Sequence, residues 1–276
     1  VSEEDFERVV LENDIFGRVT PEQKQHMVEV LQKHKKTVAM SGDGVNDVLA
    51  LKKADISFAM NGATSAAKSV SNIVFLTDDF DVFYDILMEG RRVINNIQKV
   101  ASLFLTKTFF SITFSILSVI FALEFAFIPI QFTIISAITI GIPSFFLTFE
   151  SNKDKVSDHF MRDILTNAVI GGGVLVLSVL LTNFVIHNPA QVKFICFLLA
   201  LINGLLMVTK VSLPFNKYKA VLLVALTFAA VVGIFANIFI LKNHFNPLTI
   251  GQITYVALVA IVIAIIHYMT RRKRLV

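Results

Sequence analysis

Two carboxylates four residues apart in a glycine-bearing turn are the groups of this chain best suited to chemistry. The run Gly42-Asp43-Gly44-Val45-Asn46-Asp47 offers oxygen donors only. That set suits Mg²⁺, which takes one or two carboxylates and completes its shell with phosphate oxygens and water. Gly42 and Gly44 let main-chain N–H groups approach an anion closely, and a helix starting just beyond the turn would add positive potential from its N-terminus. Taken alone, such a turn also fits an ordinary loop.

The flanking sequence has to position those side chains. Residues 37–41, TVAMS, form a short apolar run that stops at Gly42, as a buried parallel strand does at a tight turn. Val48–Ala54 is compatible with a helix, and apolar runs at Ile56–Met60 and Ile73–Leu76 read as further strands. Upstream, Thr20-Pro21-Glu22-Gln23 reads as a helix start. Thr20 can cap, Pro21 suits the first turn and Gln23 completes a capping box. That helix is expected to run through Lys36, with Met27, Val30 and Leu31 on one face. Strands alternating with helices predict a parallel sheet whose site lies at the strands' carboxyl ends.

The rest of the chain is of another kind. The 276 residues are 55% hydrophobic and only 17% charged, well below the charge of soluble chains. Residues 1–99 carry 12 Lys and Arg against 16 Asp and Glu, whereas residues 100–276 carry 13 against 5. A mildly acidic, water-soluble segment therefore precedes a basic, apolar one. The basic excess lies between and beyond apolar runs rather than on one face, which argues against a nucleic-acid partner. The one cysteine, Cys196, excludes an internal disulfide framework and reads as a small apolar packer. The chain opens on Val1 without a charged-then-apolar leader, as if mid-domain, and reads as a possible fragment.

A membrane helix needs roughly 20 mainly apolar residues to cross a core about 30 Å thick. Six stretches meet that length: Val100–Leu123, Phe125–Phe149, Ile164–Ile186, Ala190–Thr209, Ala220–Leu241 and Leu248–Met269. Lys153, Lys155 and Arg162, then Lys210, Lys217 and Lys219, then Arg271, Arg272, Lys273 and Arg274 fall on one side. Only Lys193 and Lys242 approach the other. By the rule that short cytoplasmic loops are Lys/Arg-rich, both termini are cytoplasmic. The domains expected are a soluble unit over 1–80, a stalk helix over 81–99, six spans over 100–269 and a basic tail over 270–276.

The longer string around the acidic turn is specific. SGDGVNDVLALKKADISFAM, from Ser41 to Met60, follows GRVTPEQK, from Gly17 to Lys24, and precedes Asp78-Asp79-Phe80 and EGRRVINNIQK, from Glu89 to Lys99. In register from about Gly17 to Glu150, this resembles the phosphorylation-domain and stalk motifs of P-type ATPases, and six spans fit that family's carboxyl-terminal half. Ser41 stands where the family usually has Thr, and Val48-Leu49 where it has Ala-Pro. The resemblance implies a partial haloacid-dehalogenase-like, Rossmann-type α/β domain, then an all-α six-helix transmembrane domain. It also implies Mg²⁺ as cofactor and ATP as substrate. Asp43 matches the Mg²⁺-binding carboxylate. Asn46 and Asp47 match positions that orient the metal site and phosphate, Asp47 as a second group of the Mg²⁺ site. Lys24 matches the lysine that neutralises the transferred phosphoryl oxygens; without the surrounding motif it would read as a solvated helix lysine. Positioning and charge stabilisation dominate phosphoryl transfer, so these are the groups it needs.

One departure matters. No Asp-Lys-Thr-Gly-Thr run, the family's phosphorylated motif, occurs in these residues. The upstream domains of the same pump are therefore implied partners, and this chain alone is expected to be inactive.

For the transported species, polar groups within the apolar stretches are the candidates. Set against calcium-pump relatives, Thr108 and Ser111 stand where those have an amide and a carboxylate, and Thr139 then Ile140 where they have Thr-Asp. Pro143 is expected to break its helix and free carbonyls for a cation. Lys107, about 10 Å past Val100 at 1.5 Å per residue, either snorkels to the headgroups or acts as a fixed counter-charge. Asn203 and Asn237 read as interhelical hydrogen-bond partners or pathway groups. Gly171-Gly172-Gly173 reads as a close-packing site. The run TIGIPSFFL resembles a bacterial branch of the family's cation transporters that includes calcium-uptake members, which favours a divalent cation, Ca²⁺ first, and a bacterial plasma membrane. A lipid- or organic-cation-moving relative, and a truncated non-catalytic membrane partner of a complete pump, are the alternatives.

Overall fold

A computed structural model describes residues 2–77, 79–240 and 247–270, with the side chain of residue 240 left out. Asp78, Leu241, Lys242 and the basic tail 271–276 lie outside the described residues. The chain divides into two compact units, Val1–Asp85 and Ile86–Val276.

In the first unit, α1 (Glu3–Glu12) and α2 (Pro21–Lys33) precede three parallel strands in the order β1 (Ala39–Gly42), β2 (Ile56–Ala59), β3 (Ile73–Val74). Helix α3 (Val48–Lys53) joins the first two strands and α4 (Ser65–Val70) the next. The start of α2 is fixed by both halves of a capping box. Gln23 N donates to Thr20 Oγ1 at 3.3 Å and Thr20 N to Gln23 Oε1 at 2.9 Å. The helix stops at Lys33 rather than Lys36, and Lys35 turns the chain with φ 59°. Val28 and Val30 are its buried residues, while Met27 and Leu31 are half-buried. Between sheet and helices, Leu51, Ala59, Ala63 and Ala67 form a small core. Phe58, Phe75 and Phe83 add an aromatic cluster with centroids 4.8–5.5 Å apart.

Among the described residues, six helices are long and apolar enough to cross a membrane. The first, α5 (Asp81–Ile120), is one unbroken 40-residue helix, so the expected stalk and first span are a single element. The second comprises α6 (Pro129–Ser136), a π-helical turn (Ala137–Gly141) and α7 (Ile142–Thr148). Then come α8 (Phe160–Val185), α9 (Pro189–Val211), α10 (Lys217–Ile240) and α11 (Ile250–Met269). Helix α9 is the most buried of the six, since α6, the π turn, α8, α10 and α11 all pack on it. Its Ile195, Cys196, Phe197 and Leu199 are fully buried, which places Cys196 among packers.

Pro143 does not break its helix. Its ring would collide with the carbonyl four residues back in a regular α-helix. The π turn widens the backbone there, with Ile142 N donating to Ala137 O, and the helix continues. Glycines permit the tightest approach between α8 and α5. A Cβ on Gly172 would lie 2.8 Å from Thr106 O and from Phe109 Cδ1, whereas Gly173 faces open space. Close packing thus belongs to Gly171 and Gly172 only.

The charged residues around Glu150 are not the loop charges their sequence positions suggest. Lys99 Nζ meets Glu150 Oε2 at 2.5 Å, Lys219 Nζ pairs with Glu150 Oε1, and all three residues are buried. Lys219 also donates to Pro214 O at 2.8 Å. Beside them the amide of Asn96 donates to Thr148 O and Glu150 O, and that of Asn95 to Asp154 O. This cluster clamps α5, the end of α7 and the start of α10.

Candidate functional site

The acidic turn lies at the carboxyl end of β1, where Asp43 follows the strand directly and Val45–Asp47 form a 3₁₀ turn into α3. Lys24 on α2 reaches across to it, its Nζ 2.6 Å from Asp47 Oδ1. The other oxygen, Oδ2, accepts from the main-chain N–H of Gly44 at 3.2 Å and of Asp43 at 3.3 Å. Asp47 is therefore buried with both oxygens engaged. Burial works against its charge, but the Lys24 bond, the Gly44 amide, the Lys24 charge and the Asp43 amide together hold the carboxyl below its ordinary range. Gly42 is required for this packing, since a Cβ there would sit 2.5 Å from Asp47 Cβ.

Asp43 is different. Its carbonyl accepts from Thr64 N at 2.8 Å, which anchors the turn to the cap of α4. Its carboxylate is exposed and has no protein partner among the described residues. Asn46 is exposed beside it. No group of three or more His, Cys, Asp or Glu that could hold a metal occurs among the described residues. An oxygen donor set with one free carboxylate fits Mg²⁺, which needs few protein ligands when phosphate and water supply the rest. Asp43 is the group open to it.

The membrane candidates divide. Lys107, Thr139 and Asn203 line one small cavity of about 40 Å³ among α5, α6, the π turn, α8 and α9. Lys107 turns toward its neighbour helix. Its Nζ donates to Ser136 Oγ at 2.8 Å and lies 4.4 Å from the centroid of the Phe132 ring. Thr139, buried in the π turn, donates its hydroxyl to Ile135 O and packs against Gly204. Asn203 donates to Gly171 O at 3.2 Å and its Oδ1 lies 3.0 Å from His267 Nε2. Pro143, Thr108 and Ser111 lie outside the lining. Thr108 is exposed on α5 with its hydroxyl on Phe104 O, and Ser111 is half-buried. Asn237 is buried, with its Nδ2 unpartnered among the described residues.

Thr106, Ser136 and His267 were not singled out in the sequence. Thr106 and Ser136 are hydroxyls that bond their own helix, as most do, and their type carries no signal. His267 did carry one, an ionisable residue inside an apolar stretch.

Residues 23–87 match the family model for haloacid dehalogenase-like hydrolases. The chain is 36% identical over 236 residues to the "Probable cation-transporting ATPase exp7" of Streptococcus pneumoniae, covering 81% of this chain and 30% of that protein. It is 38% identical over 239 residues to the calcium-transporting ATPase CtpE of Mycolicibacterium smegmatis, with 80% and 30% covered. To the protein of the same name in Mycobacterium tuberculosis it is 45% identical over 177 residues, covering 60% and 22%. The chain thus spans about 30% of the length of the first two relatives.

Proposed function

Because the chain belongs to the P-type ATPases, as a carboxyl-terminal portion of cation-transporting type in a multi-pass membrane protein, we propose that it serves ATP-driven transport of a divalent cation, Ca²⁺ first. The transport would run through an aspartyl-phosphate whose aspartate is not among these residues. The observation that carries this reading is the end of β1, where a lysine-held, buried Asp47 stands beside a free, exposed Asp43.

Asp43 would hold Mg²⁺, and Asn46 would orient the phosphate beside it. The metal, when bound, neutralises charge on the transferred phosphoryl oxygens. Asp47 fixes the turn by taking its two amides and holds Lys24 at the turn's mouth. The Lys24 ammonium can then meet an anionic oxygen without reorganising. In the membrane, Lys107, Thr139 and Asn203 would line the pathway, with Lys107 as a fixed counter-charge, and Lys/Arg-rich loops would face the cytoplasm of a bacterial cell. The names of the calcium-transporting relatives support the choice of cation.

One observation favours a second reading. Among the described residues the cavity lining has an ammonium and no carboxylate, which suits an anionic lipid headgroup better than a bare cation. ATP hydrolysis by the full-length protein separates the two. Stimulation by micromolar Ca²⁺ supports cation transport, and stimulation by lipid alone overturns it. For the chemistry, Asp43→Asn in the full-length protein should abolish phosphoenzyme formation from ATP; normal levels would remove Asp43 from its assigned role.

A further inference from the structure

The Asn203 amide has both ends fixed from outside its own helix, and the order of assignment is forced. Gly171 O is a main-chain carbonyl and can only accept, so the NH₂ of Asn203 must face it. That turns Asn203 Oδ1 toward His267 Nε2 at 3.0 Å, and an oxygen can only accept there. His267 must therefore carry a hydrogen on Nε2. Its Nδ1 is then left buried and unpartnered among the described residues.

Among the described residues, Asn203 is the only amide side chain lining the cavity and Lys107 the only charged one. Asn203 is 2% exposed and His267 4%. The next residue, Gly204, admits Thr139 so closely that a Cβ would lie 2.4 Å from Thr139 Cγ2. The segment at 203–204 thus joins α8, the π turn and α11 at the cavity wall. A second bridge, Lys210 Nζ to Thr270 Oγ1 at 3.0 Å, ties α9 to α11 two turns further along α9.

We infer that His267 is a positioning residue for the transport cavity: by donating Nε2–H to Asn203 it fixes the orientation of the cavity's one amide. This rests on the cation-transport reading above. A carbonyl oxygen has two lone pairs. His267 occupies one and so sets where the other points. Without the donor the amide is held only at its NH₂ end by Gly171 O, its oxygen is free to shift, and the apparent affinity of the pathway for its cation falls. His267 touches the cavity only through Asn203, so the rate of the chemical step should not follow.

The test uses the full-length protein in nanodiscs, with Ca²⁺-stimulated ATP hydrolysis as one readout and ¹⁵N NMR of the histidine ring as the other. His267→Leu should raise the half-activating Ca²⁺ concentration about fivefold to tenfold, the value of one buried hydrogen bond. Its maximal rate should stay within about twofold, as expected of a purely positional change. His267→Gln, whose amide N–H can donate to the same oxygen, should return the half-activating concentration to near the wild-type value. The ring signal assigned by its loss in His267→Gln should be that of the Nε2–H tautomer. An Nδ1–H tautomer, equal shifts in both variants, or a fall in maximal rate with unchanged half-activation would overturn the inference. A wild type activated by Ca²⁺ with His267→Leu unchanged defeats this inference alone. A wild type that no divalent cation activates defeats the functional reading together with it.

Discussion

Replacing Glu150 with glutamine tests how much of the membrane unit hangs on one carboxylate. The side chain keeps its shape, but Lys99 and Lys219 lose the negative charge between them. Each lysine contacts a different oxygen of that carboxylate, and for such a bridged pair we take an ammonium separation on the order of 6 Å. At an effective dielectric of about 20 their repulsion is about 3 kcal/mol. Removing one member of a buried ionic group typically costs about 3 to 5 kcal/mol, and the repulsion is a large share of that. For a chain of this length the loss should lower the midpoint of thermal unfolding by roughly 10 °C. The assay is thermal unfolding of the protein in nanodiscs for wild type, Glu150→Gln, Lys219→Met and the double variant. Lys219→Met alone should destabilise. Added to Glu150→Gln it should recover about 3 kcal/mol, because it removes one of the two repelling charges. Additive losses, or a Glu150→Gln midpoint within about 2 °C of wild type, would refute the reasoning.

Gly204→Ala should lower stability by about 1 to 3 kcal/mol through overpacking against Thr139, and Thr139→Gly should recover most of it; thermal unfolding of the single and double variants checks the pairing. Acid should loosen the first unit. Asp47 is held below its ordinary 3.8 against the effect of burial, chiefly by Lys24, and Asp55 is likewise lowered by the Val38 amide. Carboxyls lowered in the fold stabilise it above their unfolded values, and that stability is lost as pH falls below about 4 through the folded ones. Protection of the Asp43 and Gly44 amides against hydrogen exchange, taken relative to the intrinsic rate at each pH, should fall on acidification and, in Lys24→Ala, should be low already at neutral pH; unchanged protection in Lys24→Ala would count against the bond to Asp47.

Local signals in the sequence carried most of the soluble unit. Thr20-Pro21-Glu22-Gln23 marked the start of α2 because capping is a contact over three residues. Gly42 marked the end of β1 because any side chain there meets Asp47. Hydrophobic length gave the number of spans, though not that α5 runs unbroken from Asp81, since polar and apolar halves of one helix look like two elements. The membrane side chains were harder to read. Thr108 and Ser111 stand on α5 close to Lys107, yet only Lys107 reaches the cavity, because helix rotation decides and apolarity on all sides hides it. Lys99, Glu150 and Lys219 lie 51 residues or more apart, and nothing local distinguishes a buried charge from a loop charge.

The wide turn at Ala137–Gly141 leaves its helix one residue out of phase. Counted at 3.6 residues per turn from the buried Gln131, an unbroken α-helix would direct positions near 142, 145 and 149 inward. Instead Ile142, Phe145 and Phe149 are exposed, and Pro143, Ser144, Leu147 and Glu150 are the buried set. One additional residue thus advances the pattern by about 100°, sending bulky rings outward and carrying a carboxylate in to meet its two lysines. Closing that turn into regular α-helix with no residue removed would exchange the two stripes, with phenylalanine delivered to the place where the ammoniums wait.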